Sequence, residues 1–150
     1  AEKVSEIISI GNISVDTTDE LTLFTQDEIK ITFLHYPFSH LFPLEILENG
    51  LKLFSGPDIA IQKAYTIGRR GEYRDYFDLY SILKENVMSL SEVISGAKKI
   101  CGSVFEEKIF LQQLVYFDDL LDLEIIPAEK PVPDPGEVKY FFEELVRKHI

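Results

Sequence analysis

The sequence predicts an α+β chain in which a small antiparallel sheet is followed by a helical C-terminal region. Three observations carry this. Residues 12–36 alternate apolar and polar side chains at the period of half-buried strands, with acidic turn clusters between the runs. From Ser55 onward the apolar spacing lengthens to that of helices, punctuated by capping residues. Of the 150 residues, 45% are hydrophobic, which suits one domain with a real core. The implied organisation is a partial β-meander with its connector over residues 1–54 and a helical region over 55–150 packed on it, in one continuous domain.

In chain order, residues 3–10 fit a short helix or a strand, with Ile7, Ile8 and Ile10 as the apolar side. Ile13-Ser14-Val15 alternates as far as the turn Asp16-Thr17-Thr18-Asp19. Leu21 to Thr25 alternates as far as Gln26-Asp27-Glu28, and Ile29 to Leu34 alternates again. A meander of two or three strands is marginal alone and leaves an unpaired edge. The sequence therefore predicts further strands before residue 1 and homo-oligomer formation through the exposed edge. The first residue is Ala1 rather than Met, in keeping with a processed or longer chain. Residues 35–54 are broken by Pro37 and Pro43 but rich in apolar side chains, so they read as a connector wrapped against the core, with a turn at Gly50 before a short strand from Leu51 to Phe54. His35 and His40 stand five apart across a proline with no third ligand, which is not a metal spacing.

The stretch from Ser55 to Leu83 reads as two helices joined by a basic turn. Ser55 and Asp58 have the spacing of a capping box, with Pro57 in the first turn. Ile59, Ala60, Lys63, Thr66 and Ile67 then share a face, which puts a lysine in the middle of a core stripe. Gly68 and Gly71 bracket Arg69 and Arg70. On the second helix Asp75 and Asp78 share a face with Leu79 and Ile82. Charges on an apolar stripe lose hydration unless they pair, so Lys63 is expected to meet Asp78, or failing that Asp75. Pattern alone leaves two readings at even weight: an ion pair that fixes helix packing, or a functional cluster.

Further on, Ser89-Leu90-Ser91-Glu92 is a second cap signal, opening a helix to about Lys99 with Leu90, Val93, Ile94 and Ala97 inward. Ser103 to Leu114 reads as another helix, with Val104, Phe105, Ile109, Leu111 and Leu114 inward. Asp118, Asp119, Asp122 and Glu124 resemble a metal site at first sight, but with 26 acids in the chain a solvated acidic surface is the stronger reading. Pro127, Pro131, Pro133 and Pro135 form an extended linker, and Pro135-Gly136-Glu137 opens a last amphipathic helix. A single cysteine, Cys101, excludes an internal disulfide framework and reads as a small core residue. The net charge of −11 argues against nonspecific DNA binding by the whole surface and leaves Arg69, Arg70 and Arg74 as the dense basic cluster. No apolar run reaches the roughly 18 residues of a membrane span.

The central stretch, DIAIQKAYTIGRRGEYRDYFDLYSIL, resembles the nucleotidyltransferases of the abortive-infection AbiEii/AbiGii toxin family. The similarity lies in Asp58-Ile59…Lys63, in Arg70-Gly71, and in Arg74-Asp75-x-x-Asp78-Leu79-Tyr80. It extends to IKITFLHYP and to LVYFDDLLDLEIIP, so that it covers most of residues 12–146. The resemblance implies a partial nucleotidyltransferase-type fold and transfer of a nucleotide from an NTP to an RNA or protein acceptor. Some members of the family act as toxins neutralised by a partner antitoxin, so a cognate antitoxin is implied as a partner. With one cysteine and no apolar run long enough for a membrane span, a cytoplasmic setting away from any membrane is expected. The resemblance further implies that Lys63 reaches triphosphate oxygens, that Asp78 orients Lys63 or the acceptor hydroxyl, and that Arg70, Arg74 and Asp75 complete the nucleotide-binding set. The alternative it leaves is a non-catalytic nucleotide- or protein-binding relative. In the family a glycine-rich turn and an Asp-x-Asp motif hold Mg²⁺. This chain contains neither, and Thr32 stands where a third acid is expected. Mg²⁺ is accordingly expected for the complete protein only, with none bound to this chain.

Overall fold

The computed structural model describes residues 2–120, 123, 125 and 132–150. It is α+β: a three-stranded antiparallel sheet and a two-stranded sheet, then helices to the C-terminus. The chain divides into two compact units, Ala1–Phe38 and Ser39–Ile150.

The first unit opens with a single helical turn, α1 (Glu2–Ser5), and continues as the meander β1 (Ile10–Asp16), β2 (Glu20–Thr25) and β3 (Lys30–Leu34) in the order β1-β2-β3. The segment that fitted helix or strand is thus one helical turn leading into β1. Register is regular between β2 and β3, where Leu21 faces Phe33 and Leu23 faces Ile31, but shifts twice along β1. Thr22, in the central strand, has its Oγ1 2.7 Å from Glu20 Oε1 and 2.9 Å from Thr32 Oγ1, so the side-chain hydroxyls help to hold the register.

The second unit begins with the connector. Its Glu45–Ile46 (β4) and Lys52–Leu53 (β5) pair antiparallel around a turn in which Gly50 adopts φ +82°, a backbone conformation that favours glycine. Five helices follow: α2 (Gly56–Ile67), α3 (Tyr73–Lys84), α4 (Leu90–Cys101), α5 (Glu107–Val115) and α6 (Pro135–His149). Helix α2 is the hub, packed against α3, α4 and α5, while α6 closes over α3, α4 and α5. Because α2 has neighbours on several sides, its buried set is wider than one stripe. It includes Ile61 and Ala64 beside Ala60 and Ile67, whereas Ile59 and Thr66 of the expected face are only half-buried. Likewise α3 buries Tyr73, Tyr76, Leu79, Tyr80 and Leu83, leaving Ile82 half-buried.

Caps set the helix starts. Ser89 makes a full capping box with Glu92, and Asp134 caps α6 by accepting from the Gly136 N–H at 2.8 Å. Leu90, Val93, Ile94 and Ala97 of α4 are all buried, as the sequence predicts. The expected helix from Ser103 to Leu114 is broken. Gly102 takes φ +54° and ends α4, a 3₁₀ turn spans Gly102–Val104, and α5 starts only at Glu107. Phe105, Phe110 and Leu114 point inward as a result, while Val104 and Ile109 are about half exposed rather than core. Cys101 is buried, as expected of a core residue. Of the acidic run, Asp122 and Glu124 lie outside the described residues, as do Pro127 and Pro131 of the linker. Among the described residues no helix is long and apolar enough to cross a membrane.

Candidate functional site

The site is built on the α2–α3 hairpin. Helix α2 ends at Ile67. Gly68, in right-handed geometry, closes it with its N–H on Thr66 O, so this glycine serves as a stop without needing a left-handed backbone. Residues 68–72 then reverse the chain, and α3 starts at Tyr73, with the Asp75 N–H bonded to Glu72 O at 2.9 Å. The reversal sets the last turns of α2 beside the first turn of α3. That brings Lys63 and Arg70 onto Asp75.

Asp75 has no exposed surface and is the centre of the cluster. Its Oδ1 accepts from Lys63 Nζ at 2.8 Å and from Arg70 Nη2 at 3.2 Å, and its Oδ2 accepts from Arg70 Nε at 2.9 Å. Lys63 Nζ also lies 2.5 Å from Asp78 Oδ2, on the half-exposed carboxylate one turn along α3. Lys63 therefore meets both of the acids proposed for it. Arg70 holds Asp75 side-on with two N–H groups while its Nη1 lies 3.4 Å from Glu72. Arg74, placed by the resemblance in the nucleotide-binding set, is not part of this cluster. It points to Glu72, with most of its side chain exposed, while Asp75 is turned inward onto Lys63 and Arg70.

Burial works against charge here, and pairing overrides it. Desolvation pulls the Lys63 pKa down, but hydrogen bonds and attraction from Asp75 and Asp78 outweigh it, leaving the ammonium above its ordinary value. Desolvation pushes Asp75 up, but Arg70 and Lys63 hold its carboxyl below the usual range. The hydrogen bond to Asp75 also raises Arg70. At neutral pH Lys63 is an ammonium, which suits it to bind anions and not to act as a base.

These carboxylates do not fit a Mg²⁺ site. Both oxygens of Asp75 are committed to cations, and the Oδ2 of Asp78 is on Lys63. Among the described residues no group of three or more His, Cys, Asp or Glu side chains is arranged to hold a metal ion.

Other residues around the hairpin are less legible in sequence. Asp58 does not simply complete a capping box with Ser55. Its N–H takes the Ser55 hydroxyl, but its fully buried carboxylate accepts from Leu41 N at 2.7 Å, Phe42 N at 3.1 Å and Ser55 Oγ at 3.2 Å, tying the connector to α2. Tyr76 donates its hydroxyl to Gln113 O at 3.1 Å and packs edge-on against Phe117. Burial raises its pKa first of all, with the charges of Asp119 and Asp75 adding to it. Gly71, in the reversal, leaves no spare room: a Cβ there would lie 3.3 Å from Leu120 Cδ2 and 3.7 Å from Asp119 Oδ1. The only sequence sign of these neighbours is the FDDL run at 117–120, which on its own looks like surface acid.

Over 129 residues the chain is 29% identical to an uncharacterized protein of Aquifex aeolicus (strain VF5), a match covering 85% of this chain and 61% of the relative. The chain thus spans about three-fifths of the length of the relative it matches. No family model and no solved structure matches it.

Proposed function

We propose that this chain is the phosphate-handling portion of a nucleotidyltransferase, which moves a nucleotide from an NTP to an RNA or protein acceptor, as the toxin of a toxin–antitoxin or phage-defence pair. The observation that supports the reading is the fully buried Asp75 holding Lys63 and Arg70 side by side. Two of the three Lys63 ammonium hydrogens are taken by Asp75 and Asp78. The third, with the outer edge of the Arg70 guanidinium, forms a pair of fixed donors for phosphate oxygens. Asp78, at the exposed side, keeps Lys63 aimed or accepts from the acceptor hydroxyl. Mg²⁺ belongs, on this reading, to carboxylates of the complete protein and not to this cluster.

The second reading is a nucleotide-binding relative without catalysis. It is favoured by the same chemistry: the acids of the cluster are neutralised by cations, so donors for phosphate are present there and, among the described residues, a metal-binding set is not. Titration with ATP, GTP, CTP and UTP, followed calorimetrically, tests what the two readings share. Lys63→Met is expected to weaken NTP binding by about 10–100-fold, from the ~1.5–3 kcal/mol of a charged hydrogen bond, with the far-UV circular dichroism unchanged. Equal binding by the folded variant would overturn both. Labelled NTP, Mg²⁺ and bulk tRNA then separate them, since the chain alone is expected to give no labelled product, and labelling would place the metal-binding acids within it.

A further inference from the structure

Away from the α2–α3 hairpin, three side chains from three helices form one hydrogen-bonded line. Ser91, in the first turn of α4, has its Oγ 3.3 Å from Nδ1 of His149, the last residue of α6. His149 Nε2 lies 3.3 Å from Oε1 of Glu107, the first residue of α5. The other oxygen of Glu107, Oε2, lies 2.5 Å from Lys98 Nζ. Hydrogen bonds from Lys98 and His149 hold the Glu107 carboxyl below its ordinary range, so it is ionised at neutral pH and can only accept. A neutral His149 must then carry its hydrogen on Nε2, facing Glu107, and turn the Nδ1 lone pair toward the Ser91 hydroxyl.

A hydroxyl facing an imidazole lone pair, with the other ring nitrogen donating to a carboxylate, is the arrangement that activates serine as a nucleophile. Distances slightly beyond 3.2 Å are usual before a substrate tightens the line. The surroundings add two further parts. Ser89 takes the Glu92 N–H on its hydroxyl and the Val93 N–H on its carbonyl. Helix geometry leaves the N–H groups of Leu90 and Ser91 without intrahelical acceptors, while the Glu92 carboxylate is taken up by the Ser89 N–H and hydroxyl at the same helix end. Ser91 also lines a cavity of about 350 Å³ whose apolar walls include Leu41, Phe42, Ile61 and Met88.

We propose that Ser91, His149 and Glu107 form a second, hydrolytic centre for small acyl esters, with the acyl chain in the cavity beside Ser91. Ser91 Oγ bonds to the ester carbonyl carbon as its proton passes to His149 Nδ1, and the carbonyl π pair moves onto oxygen. Collapse breaks the bond to the leaving alcohol, which takes the proton from Nδ1. Water then attacks the acyl-serine in the same way, giving its proton to Nδ1 and then to Ser91 Oγ as the acid departs. Water is the co-reactant, and nothing is oxidised or reduced. Glu107 is a positioning residue that sets the imidazole tautomer.

The test uses the whole chain with p-nitrophenyl acetate and butyrate, and separately with a fluorophosphonate probe followed by peptide mass mapping. The unaltered chain is expected to be labelled at Ser91. Ser91→Ala and His149→Gln are expected to lower kcat/KM by about 10²-fold or more, and Glu107→Gln to lower kcat with KM unchanged. An unlabelled Ser91 in the folded chain, or equal hydrolysis by Ser91→Ala, would overturn the centre and leave His149 as a strut between helices. An unchanged kcat in Glu107→Gln would remove that residue from it. The labelling is read on the unaltered chain, so a variant that fails to fold does not blunt the test.

Discussion

A carboxylate without exposed surface keeps its charge only where partners replace the water it has lost. Asp75 meets that condition through three hydrogen bonds from two cations. Asp75→Asn removes the charge while keeping most of the shape, and it leaves Lys63 with Asp78 alone and Arg70 with only Glu72. Breaking a buried pair costs about 3–5 kcal/mol. Because Arg70 is nearly half exposed and can regain water, a loss near the lower end, about 3 kcal/mol, is expected in urea unfolding. The pH dependence has a definite sign. The folded pKa of Asp75 is depressed, so its stabilisation is complete above the unfolded carboxylate value of about 4 and disappears as pH falls from there through the folded pKa. Asp75→Asn should therefore flatten the stability profile below about pH 4. An acid limb as steep as that of the parent would mean that other carboxylates govern acid unfolding.

At the scale of elements, α2 and α4 approach closely at Gly96. A Cβ on Gly96 would fall 2.4 Å from Ile61 Cδ1, and Ile61 is itself fully buried. Gly96→Ala gains about 1 kcal/mol of helix propensity, but it forces Ile61 out of its rotamer in a packed core, which costs about 1–3 kcal/mol. A net destabilisation of about 1 kcal/mol is expected in chemical denaturation, and only partly relieved by Ile61→Val, which removes Cδ1 but keeps Cγ1 2.8 Å from the added methyl, whereas a more stable Gly96→Ala would show the helices free to part. The sequence displays local rules and conceals such approaches. The Ser55 and Ser89 caps and the alternation of β2 and β3 are legible because each depends on residues a few positions apart. The Gly50 turn and the strand after it are legible in the same way, but its partner β4 is not, since two residues give no alternation to read. The break at Gly102 is hidden because its neighbours still space like a helix. Lys63, Asp75 and Asp78 stand out as charges on apolar stripes, which is why their meeting can be expected. The outward turn of Arg74 depends on which neighbouring acid is buried, and the Ser91–His149 contact joins residues 58 apart, so neither has a local signature.

On the scale of the whole molecule, the division at Phe38 sets the helical unit apart as the larger body. Its core is drawn from several of its own helices, including Tyr76 and Leu79 of α3, Val93 of α4, Phe110 of α5 and Phe142 of α6. Asp58 binds the connector to α2 within the same unit, and every member of the Lys63 cluster belongs to it. The first unit has three short strands and one helical turn, below the roughly 40 residues at which a chain usually holds itself together. Residues 39–150 expressed alone are therefore expected to unfold in one cooperative transition. Their midpoint should lie within about 8 °C of the whole chain, the shift that ~1 kcal/mol produces at this size or smaller, and they should bind NTP as the whole chain does. Residues 1–38 alone are expected to show no cooperative transition. If 39–150 instead lost its thermal transition or its NTP binding, the sheet would be part of what stabilises the helices around Lys63, and the hairpin could not be treated as a site that its own unit builds.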